Sequence, residues 1–196
     1  MNIIDRVKNI LLTPKTEWEV INGETATPQS LLIGYVLPLA IIASAGSLLK
    51  GFLFAGTYGL TYFIITAAIG FIAAVIAFYI TVLIVDMLAP SFGSEKDMGK
   101  SAQLVAYSGT PSHIGSLLSF VPVVGWLVSL AAWGYGIYLM YLGIGPLKKT
   151  PEDKKVLYMI VAYLIMIVLT FIIIAILGAI IFSVMGFAAV GGGLLR

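Results

Sequence analysis

SAQLVAYSGTPSHIGSLLSFVPVVGWLVSLAAWGYGIYLMYLGIG, residues 101–145, runs for forty-five residues without an Asp, Glu, Lys or Arg. As a single helix it would be about 68 Å long, roughly twice the hydrocarbon core of a bilayer, so it must cross, reverse and cross again. The reversal is expected in FVPVVGW, residues 120–126, where Pro122 and Gly125 interrupt a helix and Trp126 suits interfacial depth.

Outward from this stretch lie two polar loops, DMLAPSFGSEKDMGK at 86–100 and PLKKTPEDKK at 146–155, and beyond them further apolar runs. Residues 31–49 and 61–85 carry no charge, and a last run extends from Val156 to about Met185. Each is long enough to span a bilayer. Composition agrees: 60% of the 196 residues are hydrophobic, 10% are charged, and mean hydropathy is +1.07. A soluble fold of this size has no interior large enough for so much apolar surface. The expected fold class is therefore all-α, a polytopic transmembrane bundle of five crossings. These are 31–49, 61–85, 101–121, 125–145 and 156–181, within a membrane domain of 27–185. A leader of 1–26 precedes it and a glycine-rich tail of 186–196 follows.

Basic residues give an independent topology. Arg6, Lys8, Lys15, Lys96, Lys100, Lys148, Lys149, Lys154 and Lys155 fall on one side of five crossings, and Lys50 and Arg196 on the other. The positive-inside rule places the first group, and the amino terminus, in the cytoplasm, with the carboxyl terminus on the opposite side. The alternative is four crossings with a re-entrant third segment, which moves the four lysines of 146–155 outside. Helix-start chemistry supports the boundaries: Thr27-Pro28, Thr150-Pro151 with Asp153, and Ser94 with Asp97. The first apolar run begins near Leu31 with no cleavage pattern after it, so the leader is expected to be retained.

In the leader, Ile3, Ile4, Val7, Ile10 and Leu11 recur at helical spacing, with Asp5, Arg6, Lys8 and Asn9 around the rest of the circumference. This predicts an amphipathic interfacial helix carrying Ile3, Val7 and Ile10 inward, restarted at Thr13-Pro14, with Trp18 at headgroup depth. It either caps the bundle or docks a partner.

Enzyme chemistry finds little footing. The chain has no cysteine and one histidine, His113, and it lacks zinc-protease, nucleophile-elbow and phosphate-cradling motifs. No catalytic, cofactor or metal residues are assigned, and a net charge of +2 gives no reason to expect nucleic acid. The polar intramembrane cluster is Tyr107, Ser108, Thr110, Pro111, Ser112 and His113. Pro111 removes the partner of the Tyr107 carbonyl, and Ser108, Thr110 or Ser112 is expected to help satisfy the local backbone groups. The cluster is either a kinked packing helix or a broken helix lining a cavity. Tyr135, Tyr138 and Tyr141 form an aromatic face suited to packing or to a lipid groove. Asp86, a membrane-edge carboxylate, is expected to point to water or pair with Lys96 or Lys100.

The order of LLTPKTEWEVI, FGSEKDMGKSAQLVAYSGTP, FVPVVGW and GYGIYLMYLGIG resembles the Yip1 family in its compact bacterial form. That resemblance implies five crossings, a cytoplasmic amino terminus and a bacterial cytoplasmic membrane. Eukaryotic relatives serve vesicle traffic and bind small GTPases, but their Asp-Leu-Tyr-Gly-Pro signature does not occur here, so that role is not carried over. The expected function is non-enzymatic: a scaffold, adaptor or membrane-organising protein whose partners are lipids, another membrane protein or a second copy. The alternative is a small transporter or channel-like module using the third helix.

Overall fold

The computed structural model describes the backbone of residues 2–58, 60–121 and 123–193; side chains 47, 50, 54–62, 119, 180, 181 and 184–193 are outside the description. Pro122, placed at the expected reversal, and the end of the tail with Arg196 lie outside the described residues. All regular structure among the described residues is helical. The leader is a hairpin of α1 (Ile3–Leu12) and α2 (Pro14–Asn22), with Pro14 at the first helical position, where its missing amide hydrogen costs nothing.

The first membrane helix starts at α3 (Pro28–Leu31), where Thr27 and Ser30 form a reciprocal capping box. It passes through a π-helical turn, Leu32–Val36, into α4 (Leu37–Tyr58). Pro38 explains the turn: its ring would collide with the Gly34 carbonyl, and the wider turn moves that carbonyl aside while Leu37 N–H bonds to Leu32 O. α5 (Leu60–Leu88) follows, ending in a 3-10 turn at Ala89–Phe92 closed by Gly93 at φ 69°.

The third segment, expected over 101–121 as a helix kinked or broken at Pro111, is broken and starts earlier: it comprises α6 (Met98–Ser108), α7 (Thr110–Gly115) and a 3-10 turn, Ser116–Phe120. Asp97, rather than Ser94, caps α6 by accepting the Lys100 amide. α8 (Val124–Lys148) and α9 (Glu152–Gly193) complete the chain, and α9 extends past the expected end at 181 into the glycine-rich tail. Thr150 does not cap α9; its hydroxyl turns back to the Ile144 carbonyl. Among the described residues, four helical stretches are long and apolar enough to cross a membrane: Pro28–Leu53, Phe63–Phe92, Val124–Lys148 and Glu152–Ala179.

Small residues set the close approaches within this bundle. A Cβ on Gly46 would stand 2.5 Å from the Ser116 carbonyl, one on Gly115 2.9 Å from the Ala132 methyl, and one on Gly136 2.9 Å from the Ser108 carbonyl. The 3-10 turn therefore rests on α4, and α6 and α7 lie directly on α8. The best-buried core, including Trp18, Leu104, Leu139 and Ile144, gathers where the leader, α6 and the carboxyl half of α8 meet, and the first turns of α9 close it with Tyr158 and Ala162. α9 is peripheral and offers Phe171, Ile174 and Phe182 outward.

Candidate functional site

The leader hairpin sits in a slot of the bundle. Ile10, Trp18 and Ile21 have no exposed surface, Ile3 and Val7 are half-buried, and Ile4 faces out. Trp18 is thus a core residue and not a headgroup anchor: its ring packs against Gly143, where a Cβ would come within 2.7 Å, and meets the Tyr107 ring edge-on at 6.3 Å. Arg6, assigned to the charged face of the leader, is also buried. It survives there because its guanidinium pairs with Glu17 and Glu24 and lies 5.1 Å over the Tyr107 ring. At the end of α2, Lys100 donates to the Asn22 and Glu24 carbonyls, and the Gln103 amide donates to those of Ile21 and Glu24. These bonds fasten the leader to α6.

Asp86 is neither at the water boundary nor paired with the loop lysines named for it. It is 2% exposed and pairs at 3.1 Å with Lys148, which has no exposed surface. Lys148 also donates to the Asp97 carbonyl at 3.1 Å and to Ser101 Oγ at 2.7 Å, while Ser101 donates to Asp86. All three ammonium donors therefore have acceptors, the condition for keeping a charge in a dry site. Nearby, Ser94 donates to Thr150, Lys149 pairs with Glu95 at the surface, and the Tyr158 hydroxyl donates to the Val85 carbonyl. The two polar loops and three helix ends are joined.

In the third segment, Thr110 Oγ1 donates to the Tyr107 carbonyl at 2.8 Å, taking the bond that Pro111 cannot make. With its proton committed there, Thr110 accepts from the Tyr35 hydroxyl at 2.7 Å. The π-helical turn of the first helix thus faces the break in the third, and one hydroxyl relay joins the two irregularities. Ser108 bonds back to Leu104 O, and Pro111 is buried while Ser112 faces out. His113 borders a chamber of about 200 Å³ between α4, α5 and α7, with Ser44, Thr66 and Ser116 in its wall. A separate cleft of about 510 Å³ opens beside Arg6 and Glu24 and is floored by Tyr35 and Tyr107. The cluster named from sequence is therefore divided: Tyr107 and Thr110 belong to the leader side, His113 to the α4–α5 side.

The tyrosines divide too. Tyr135 donates to the Leu11 carbonyl at 2.7 Å and holds the leader's turn. Tyr138 and Tyr141 line an apolar groove of about 470 Å³ between α8 and α9 with Trp133, Ile160 and Tyr163.

Lys148, Tyr35 and Arg6 were not singled out in the sequence. Lys148 had a signal, being the first charge after the long neutral stretch; Tyr35 had one in its place between Gly34 and Pro38. Among the described residues no group of three or more His, Cys, Asp or Glu is placed to hold a metal ion. Neither a curated protein nor a solved structure matches the chain. The family model described as the Yip1 domain matches residues 8–174, from within the leader into α9. The chain therefore belongs to the Yip1-domain family and is an all-α integral membrane protein.

Proposed function

We propose that this protein is a membrane scaffold of the bacterial cytoplasmic membrane, crossing five times with its amino terminus inside, and that its working surface is a rigid cytoplasmic platform. The observation that carries this reading is the convergence of the leader and both polar loops on two buried ion pairs, Arg6 with Glu17 and Lys148 with Asp86, the half-exposed Glu24 adding a second partner for Arg6. A segment meant only to connect two crossings has no need of such fixation, whereas a docking platform gains from preorganisation.

Five crossings are supported by the path of the third segment. It starts where a Cβ on Gly99 would meet the Ala26 carbonyl and reaches Ser116 beside Gly46. Between Pro28 and Gly46 the first helix rises about 27 Å, close to the thickness of the hydrocarbon core. The nine-to-two basic distribution gives the orientation. Scaffolding is favoured over transport because the Arg6 cleft and the His113 chamber share no wall residue, and the Tyr35–Thr110 bond stands between them.

A photo-crosslinking side chain at Lys96 or Lys154, both exposed, tests the platform in cells, with Leu139 as a buried control. Discrete adducts with one membrane protein or with a second copy, absent from the control, are expected. The transporter reading takes over if neither position captures a partner and a fully inserted His113→Asn protein has lost solute flux.

A further inference from the structure

Two flanks of α8 carry opposite chemistry at one level of the bundle. On the α9 flank, Tyr138, Tyr141, Ile160 and Leu164 are exposed. On the leader flank, Asp5, Lys8, Lys15 and Glu19 are exposed. The levels are fixed by contacts. Tyr135 holds the Leu11 carbonyl, and Trp133, two residues away, meets the Tyr163 ring at 6.5 Å. The leader's turn is therefore level with the deeper end of the α8–α9 groove, the end marked by Trp133. At the other end of the hairpin, Trp18 touches Gly143 and Tyr107, and Arg6 covers Tyr107.

Measured down α8 from the buried Lys148, Gly143 lies about 8 Å and Tyr135 about 20 Å deep. Lys8, between Arg6 and Leu11, and Lys15, between the turn and Trp18, fall within those limits. One leaflet of hydrocarbon is only about 15 Å thick. Among the described residues none of the four exposed charges joins an ion pair. A flat bilayer cannot serve both flanks: hydrocarbon at this level would strip water from the charges, and water at this level would wet the apolar groove.

We propose that the outer flank of the leader hairpin is a docking surface for phospholipid headgroups, drawing them and their water inward to the level of Lys8 and Lys15. The cytoplasmic leaflet is thinned on this side of the bundle and keeps its full depth beside α9. The flank has the composition of an interface, with the apolar Ile4, Leu12 and Val20 exposed among the charges. Lys8 and Lys15 meet lipid phosphates. The inference rests on the proposed orientation for the name of the leaflet alone; the depth contrast between the flanks does not depend on it.

The cysteine-free chain permits a direct test. Nitroxide labels are placed singly at Lys8→Cys, Lys15→Cys, Ile160→Cys and Leu164→Cys in the full-length protein, in vesicles of phosphatidylcholine and phosphatidylglycerol. Collision with a water-soluble nickel chelate is compared with collision with oxygen. The two leader positions are expected to favour the chelate and the two α9 positions oxygen. Oxygen-type values at the leader would overturn the proposal, as would shielding from both reagents, which means that protein covers the flank. Chelate-type values at all four positions would overturn it as well, because the membrane would then lie lower on every side. An impermeant thiol reagent on intact cells reports sidedness separately. Labelling of Lys15→Cys from outside would reverse the orientation and leave the depth contrast standing.

Discussion

Removing one partner of the Lys148–Asp86 pair should destabilise the bundle far more than removing both. With Lys148 unexposed and Asp86 at 2%, Asp86→Ala strands an ammonium whose remaining acceptors are the Asp97 carbonyl and Ser101. Lys148→Met strands the carboxylate with only the Ser101 hydroxyl. Breaking a buried pair this way costs about 3–5 kcal/mol. The double variant leaves no unpaired charge, and the Asp97 carbonyl keeps its bond from the Ser101 amide, so the loss of its lysine donor costs only about 1 kcal/mol. The three variants, titrated from mild detergent into denaturing detergent and read by far-ultraviolet circular dichroism, form a double-mutant cycle. The expected coupling is several kcal/mol, with the double variant more stable than either single one. Additive losses would refute the reasoning, since the two charges would then not be sensing each other.

Thr110→Val should cost about 1–3 kcal/mol in the same titration because it orphans the Tyr107 carbonyl, whereas Thr110→Ser should recover most of that and Tyr35→Phe should cost about 1 kcal/mol. A Thr110→Val protein as stable as its parent would mean that water takes the bond. Gly143→Leu should expel the leader, because even a Cβ there stands 2.7 Å from the Trp18 ring. With Trp126 and Trp133 replaced by Phe, Trp18 fluorescence should shift to the red and protease should cut near Lys15; an unshifted spectrum would count against the slot. Val7→Asp should lower the yield of inserted protein more than Lys8→Asp, since Val7 is half-buried against the core and Lys8 is exposed. Equal yields, with equal protection of the leader from protease, would contradict the packing of α1.

Hydropathy and helix punctuation reached most of the helices because both are local. The Thr27-Pro28 start, the Thr13-Pro14 restart and the fold-back after residue 120 needed only nearest neighbours along the chain. The fate of the Tyr107 carbonyl was legible for the same reason: the proline that deprives it and the threonine that serves it are four and three residues away. Partnerships across the fold were not legible. Asp86 was matched to lysines close in sequence, but its partner lies 62 residues further on, brought there by the α8 terminus. Arg6 looked like a surface residue because a helical wheel records only its own helix; its burial depends on Glu17, Glu24 and the Tyr107 ring together. The interruption of the third segment is legible in Pro111, but the end of α6 at Gly109 and the 3-10 turn after Gly115 carry no local signal.

The π-helical turn in the first membrane helix has a consequence for how that helix runs beside its neighbours. Its buried positions come in pairs, Leu31 and Leu32, Tyr35 and Val36, Leu39 and Ala40, a repeat of four residues. A regular α-helix gains about 40° of rotation over each such repeat, so the contact stripe would wind around the axis and pull the packed helices into a right-handed supercoil. One wide turn absorbs much of that rotation. The pairs stay in line, and the first helix can lie nearly straight along α6 and α7, whose own break leaves them unable to follow a winding partner. Deleting a single residue from 32–36 should restore the α-helical register, swing Tyr35 away from Thr110, and oblige two short helices to coil around a long one.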